Sequence, residues 1–250
     1  MGKECFVTET KNFYIETICR YELAKYKGLL RIASKNFLLE NQSIFHGREL
    51  FENFYDLKDL EDPRNKKFAS IYLVSNIQRH LENWSNQINS KTNPFRYLFD
   101  EFLKMCFWDA IIGNNDRHLQ NWGIITSLET EFIPCFTPIY DTARAFKWNV
   151  IDNSLGRKSV KDYVRDSYPH VGLKVGIKLN HFDFIREIIK LHPHIISSFS
   201  TLLKEAKLID TDQIIKKDFI LESFFSKERR QFISDCYEER IDNLDKIVHS

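Results

Sequence analysis

The sequence predicts an α+β fold in which helices dominate the second half. Three observations predict it. Residues 93–112 form a long apolar helical run, opened by Asn93-Pro94 and closed by Gly113. Two strand-like runs, 122–126 and 131–136, flank a short polar turn. From Phe182 to the C-terminus, apolar residues recur at helical spacing in four successive runs.

Taken in order, Asn12 can cap a helix to about Lys27, with Gly28 just past its end. Residues 37–39 and 43–51 read as two strands around the turn Glu40-Asn41-Gln42. The charged stretch 56–67, with Pro63, reads as a loop, and 68–84 as a helix. The helix of residues 93–112 is apolar over most of its surface, which marks a central helix. Residues 142–180 read as irregular, with Gly156, Pro169, Gly172 and Gly176. Helices then follow at 182–191, from Pro193 to about 208, at 211–225, and after a cap at Ser226.

At 250 residues the chain can bury a sizeable core in one large domain or two small ones. A net charge of +1 argues against a broad nucleic-acid or membrane footprint. No apolar run reaches transmembrane length and the N-terminus lacks a signal-peptide core. Phe6 stands where a myristoylation signal needs Ser or Thr. The five cysteines are odd in number and scattered, and none forms a metal-ligand pair. Cys19, Cys106 and Cys236 lie in apolar patterns and are expected to be buried thiols, which favours a cytoplasmic setting.

The chemistry concentrates in Ile112-Gly113-Asn114-Asn115-Asp116-Arg117-His118-Leu119-Gln120-Asn121-Trp122-Gly123, followed by Pro138-Ile139-Tyr140-Asp141. An Asp, an Asn five positions on, and a later Asp are what phosphoryl transfer from a nucleotide requires. One carboxylate orients the attacking hydroxyl, while an amide oxygen and a second carboxylate hold Mg²⁺. The intervening hairpin would bring Asn121 and Asp141 together.

These two segments resemble the HipA-like protein kinase family, whose C-terminal domain carries Gly-Asn-x-Asp-x-His-x-x-Asn and a later Pro-x-Tyr-Asp. The resemblance extends at lower stringency over about residues 12–248. Small relatives with Asp-Arg-His-x-x-Asn-Trp-Gly look most similar, among them toxin-type serine/threonine kinases and phosphatidylinositol-kinase-like proteins. The resemblance implies a protein-kinase-like fold, with a reduced N-terminal part (1–90) and a mostly helical part (91–250). It implies Asp116 as catalytic base and Asn121 and Asp141 as Mg²⁺ ligands. His118 would hold the loop beside the base, with Asn114 helping. Glu16 resembles the helix Glu that pairs with a nucleotide-binding Lys. ATP and Mg²⁺ are the implied cofactors and a protein Ser/Thr hydroxyl the implied acceptor. A toxin–antitoxin setting, an antitoxin partner and autophosphorylation are implied by the family alone.

The sequence departs from the family upstream of Glu16. Only Gly2 precedes it, and Lys3 and Lys11 are the only upstream lysines, so neither a Gly-rich phosphate loop nor a strand Lys is evident. That leaves a second reading, a pseudokinase or one half of a split kinase that binds a missing N-lobe subunit. A phosphatidylinositol or small-molecule kinase is a third.

Several residues carry two readings. Arg117 suits a phosphate or a structural ion pair, and Arg144 a phosphate or a loop carboxylate. Glu16 and Arg20 suit an ordinary helical i,i+4 pair. Gly156-Arg157-Lys158-Ser159-Val160-Lys161 reads as a solvated loop, with an activation or docking segment as the alternative. His192-Pro193-His194 reads as an interhelical turn rather than a metal pair. No Gly-x-Ser-x-Gly supports a hydrolase.

Overall fold

The computed structural model describes residues 19, 21–27, 29–61, 66–88, 93–129, 132–147, 149–217, 222 and 225–250. It is mixed helix and sheet, mostly helical. Strands β1 (Tyr21–Tyr26) and β2 (Leu29–Ser34) form an antiparallel hairpin in which Tyr26 faces Leu29. This corrects the helix expected to run to Lys27. Lys27, at φ 49°, follows the last residue of β1 in a hairpin and is not at a helix end. The start of that expected helix, with Gly2, Lys3, Lys11 and Glu16, lies outside the described residues.

A second sheet has the order β3-β4-β5, from β3 (Gln42–His46), β4 (Gly123–Ser127) and β5 (Cys135–Phe136). Its hairpin was expected, but β5 is shorter than the predicted 131–136. β3 pairs with β4, with Phe45 facing Ile124, and not with residues 37–39. Only long-range pairing places it there. Residues 47–51, expected as strand, instead form helix α1 (Gly47–Glu52), whose start is capped by the Glu49 carboxylate accepting from His46 N at 2.6 Å.

Short helices α2 (Leu57–Glu61) and α3 (Lys66–Ile71) occupy part of the expected loop. The predicted helix at 68–84 is divided between α3 and α4 (Val74–Gln87). Helix α5 (Phe95–Ile112) matches its expectation: Asn93 Oδ1 accepts from Phe95 N, and Gly113 ends it at φ 67°. Leu98, Phe102, Leu103, Phe107, Ala110 and Ile111 are fully buried on it. It packs against α4 and against three later helices: α7 (His181–Leu191), α8 (Ile196–Lys207) and α10 (Lys227–Val248).

The stretch read as irregular contains helix α6 (Val160–Arg165), capped by Ser159, whose Oγ accepts from Asp162 N. Ser159 therefore has a structural role in that basic segment. Helix α9 (Thr211–Lys217) covers the first half of its expected span. Ser226 caps α10 by accepting from Arg229 N, as expected. Cys19, Cys106 and Cys236 are buried. Within the described residues, no helix is long and apolar enough to cross a membrane.

Candidate active site

The loop after α5 is built by hydrogen bonds that start inside the helix. Asn114 N donates to Asp109 O at 3.0 Å, and its side-chain amide donates to Asp109 Oδ1 at 2.9 Å. Asn114 Oδ1 in turn accepts from Asp116 N at 3.2 Å. His118 N donates to Asp116 O, and Asn121 N to His118 O. Asn121 closes the loop, its Nδ2 donating to Asp116 O at 2.8 Å. With the amide nitrogen so used, Asn121 Oδ1 receives no hydrogen bond from a described residue and is left as an acceptor for a cation.

Arg117 is the keystone. It is 1% exposed, and its guanidinium pairs with Asp109 through Nε–Oδ2 at 2.9 Å and Nη2–Oδ1 at 2.8 Å. Its Nη1 donates to both Asn121 O and Tyr140 O, each at 2.6 Å. One nitrogen thus holds side by side the backbones of Asn121 and of the residue preceding Asp141. Burial works against the Arg117 charge, but Asp109 outweighs it and holds the pKa above its ordinary value. The structural reading of Arg117 is the one observed.

Trp122 and Gly123 anchor the far end of the loop. The Trp122 indole is fully buried, and its Nε1 donates to Tyr72 Oη at 3.0 Å; Tyr72 Oη donates to Arg117 O at 2.8 Å. A Cβ on Gly47 would lie 2.4 Å from the Trp122 ring, so only glycine fits there. That close approach lets Gly47 N donate to Trp122 O and Arg48 N to Leu119 O. At the loop entrance, Arg240 is buried among carbonyls, donating to Ala110 O at 2.8 Å at the C-terminal end of α5. Burial lowers its pKa to about 10.

Asp116 is partly buried. Its Oδ2 lies 2.9 Å from Arg144 Nε, and its Oδ1 3.9 Å from His170 Nδ1. Arg144 therefore sits on the loop carboxylate, the second of its two expected partners. The His118 pKa is lowered by burial, while the carboxylates of Asp116 and Asp141 oppose that shift. Asp141 itself is placed beside the loop by the Arg117 bonds to Asn121 O and Tyr140 O. His118 Nδ1 accepts from Gln120 N at 3.3 Å, a bond that suits the neutral ring. Asp141 is exposed at φ 50°, an uncommon conformation for a residue other than glycine. Tyr140 fixes the approach to it, its Oη donating to Gln120 O at 2.9 Å.

Asp116, His118, Asn121, Asp141 and Arg144 thus gather in one place, while Glu16 lies outside the described residues. Asp109, Tyr72 and His170 were not legible as site residues. A lone Asp inside the apolar run of α5 was the available signal for Asp109, because a buried carboxylate requires a cation. No group of three or more His, Cys, Asp or Glu side chains able to hold a metal occurs among the described residues. An Asn–Asp pair still fits Mg²⁺, which commonly takes one or two protein oxygens plus phosphates and water. His192-Pro193-His194 forms a turn, with His194 Nε2 2.8 Å from Asp100 Oδ1.

No protein-family model matches the chain, and no curated protein matches it by sequence. Among solved structures, it is similar to the crystal structure of a Helicobacter pylori proinflammatory kinase, CtkA. The match has a TM-score of 0.63 at 16% sequence identity and covers 93% of this chain and 79% of that one. The mostly helical architecture with its small antiparallel sheet therefore fits a protein-kinase-like fold.

Proposed function

We propose that this chain is an ATP- and Mg²⁺-dependent kinase that transfers the γ-phosphoryl group to a Ser or Thr hydroxyl of a protein. The observation that carries the proposal is the bond from Asn121 Nδ2 to Asp116 O, which turns the Asn amide oxygen into a free acceptor beside the candidate base. Similarity of fold to a kinase supports the same reading.

In this reading Asp116 accepts a hydrogen bond from the acceptor hydroxyl, orients it and takes its proton as the bond to phosphorus forms. Asn121 and Asp141 would hold the metal, which when bound supplies charge neutralisation at the phosphates. His118 is a positioning residue, neutral and bonded within the loop. Arg144 covers Asp116 through a half-exposed ion pair. Such pairs contribute roughly 0–1 kcal/mol, so an arriving acceptor displaces Arg144 at little cost, freeing its guanidinium for a phosphate oxygen.

The test is transfer of labelled γ-phosphate to protein by wild type and by Asp116→Asn. The variant keeps the loop bond, which uses the backbone carbonyl, and so should fold normally by circular dichroism. Its transfer rate should fall by about 10²–10⁴-fold, the range of a lost general base. A variant with full activity would remove Asp116 from that role.

A binding-only protein built on a kinase fold, the toxin–antitoxin setting and a lipid or small-molecule acceptor remain secondary readings. The groove described next favours a polypeptide acceptor.

A further inference from the structure

A cavity of about 520 Å³ opens beside the loop, lined in part by Asn115, His170, Leu173, Lys174, Ile177 and Lys178. It touches the candidate site at two points. Asn115 immediately precedes Asp116, and His170 Nδ1 lies 3.9 Å from Asp116 Oδ1. Asn121 and Asp141 are not among its lining residues, so it reaches Asp116 from a side without the candidate metal ligands.

Its wall is built rather than loose. Gly172 N donates to Tyr72 O and Val74 N to Gly172 O, each at 3.0 Å, which binds the wall to the start of α4. A turn then closes with Ile177 N donating to Lys174 O, with Gly176 at φ 75°. That turn presents Lys174-Val175-Gly176-Ile177-Lys178 to solvent, with Val175 58% and Ile177 49% exposed. These residues leave apolar surface open to solvent between two lysines at the cavity mouth.

The lysines at the cavity outnumber its carboxylates. Lys178 Nζ is held 4.2 Å over the Tyr168 ring. Neither Lys174 nor Lys178 is in an ion pair with a described residue. The one lining carboxylate, Asp166, is paired with Lys158 at 3.2 Å, and its carbonyl accepts from Lys147. With His170 at the inner end, the groove is basic and apolar, while the chain as a whole carries only +1. A local basic site on a near-neutral protein suits a short acidic ligand rather than a nucleic acid.

We propose that this groove binds an extended acidic polypeptide segment and presents its hydroxyl to Asp116. Carboxylates would meet Lys174 and Lys178, and an apolar side chain would enter between Leu173 and Ile177. Calling the occupant an acceptor rests on the kinase reading, but the binding itself does not.

The experiment therefore measures binding without catalysis. Fluorescein-labelled Ser peptides with one apolar residue, flanked either by Glu and Asp or by Lys, are titrated with the full chain and followed by anisotropy. The acidic peptide should bind about tenfold tighter or better, and weaken with salt. Lys174→Glu with Lys178→Glu should reverse the preference without changing thermal stability, since both side chains are exposed. Lys174→Gln with Lys178→Gln should abolish the preference without reversing it. Equal affinity for the two peptides, no binding of the acidic one, or its displacement by Mg·ATP would overturn the proposal. The last result would assign the groove to the nucleotide. Failure here with intact phosphoryl transfer would leave the kinase reading standing, and the converse result would sink that reading alone.

Discussion

Arg117 shows how one side chain can organise a site it does not act in. Its guanidinium joins the end of α5, the carbonyl of Asn121 and the carbonyl before Asp141. Removing it leaves Asp109 as a buried carboxylate without its cation, and breaking such pairs costs about 3–5 kcal/mol. Arg117→Ala should therefore lower the urea midpoint by that equivalent. Arg117→Lys should restore part of the stability but not the fork of bonds, because an ammonium cannot reproduce the planar geometry. A midpoint within error of wild type for Arg117→Ala would refute the keystone role. The sequence permitted this reading without selecting it. The pairing residue, Asp109, lies eight positions back on a helix whose polarity pattern was dominated by apolar neighbours.

Elements with local stop and start chemistry were legible. Helix α5 is opened by Asn93-Pro94, with Asn93 Oδ1 accepting from Phe95 N, and ends on a left-handed Gly113, and α10 begins at a Ser cap. The hairpin of β1 and β2 was misread because Lys27-Gly28 suits a helix end as well as a tight turn, and the difference lies in the partner strand. The partner of β3 was not legible for the same reason: β4 lies between 77 residues on (His46 with Gly123) and 85 residues on (Gln42 with Ser127). No local pattern carries a pairing of that range.

Helix α4 carries a prediction of its own. His80 on it is 1% exposed, with ring centroids 4.7 Å from Phe51 and 4.2 Å from Phe54, and neither ring nitrogen has a hydrogen-bond partner among the described residues. Burial lowers its pKa to about 4. Protonation is thus favoured in the unfolded chain, where the pKa is near 6.5. Stability is full above that value and declines as pH falls from 6.5 towards about 4. Phe54, which covers the ring, is half exposed, so the loss should be roughly 1–3 kcal/mol. Urea unfolding at pH 7 and at pH 5 should show it, and His80→Phe should flatten the dependence. His181, fully buried with its pKa also lowered by burial, shifts stability in the same direction and remains in that variant. An unchanged slope in His80→Phe would show that His80 is not the titrating group.

At the scale of the molecule, the candidate site is a junction. Helix α5 supplies Asp109, the loop supplies Asp116 and Asn121, the segment after β5 supplies Asp141 and Arg144, and the stretch before α7 supplies His170. Asp116, Asn121 and Asp141 were legible because their spacing is local and their order fixed. His170 and the basic groove were not, because residues 168–179 gain their place only by bonding to the start of α4. Those residues contain no repeat or periodicity that would announce a wall. Calorimetry of ATP binding in the presence and absence of Mg²⁺, with Asp141→Ala as control, tests the central claim most directly. Saturable binding that requires Mg²⁺ and is lost or strongly weakened in Asp141→Ala is the expected result. Absence of binding by the wild-type chain, or binding unchanged by the substitution at saturating Mg²⁺, would contradict the assignment of Asn121 and Asp141 as the metal pair of a kinase.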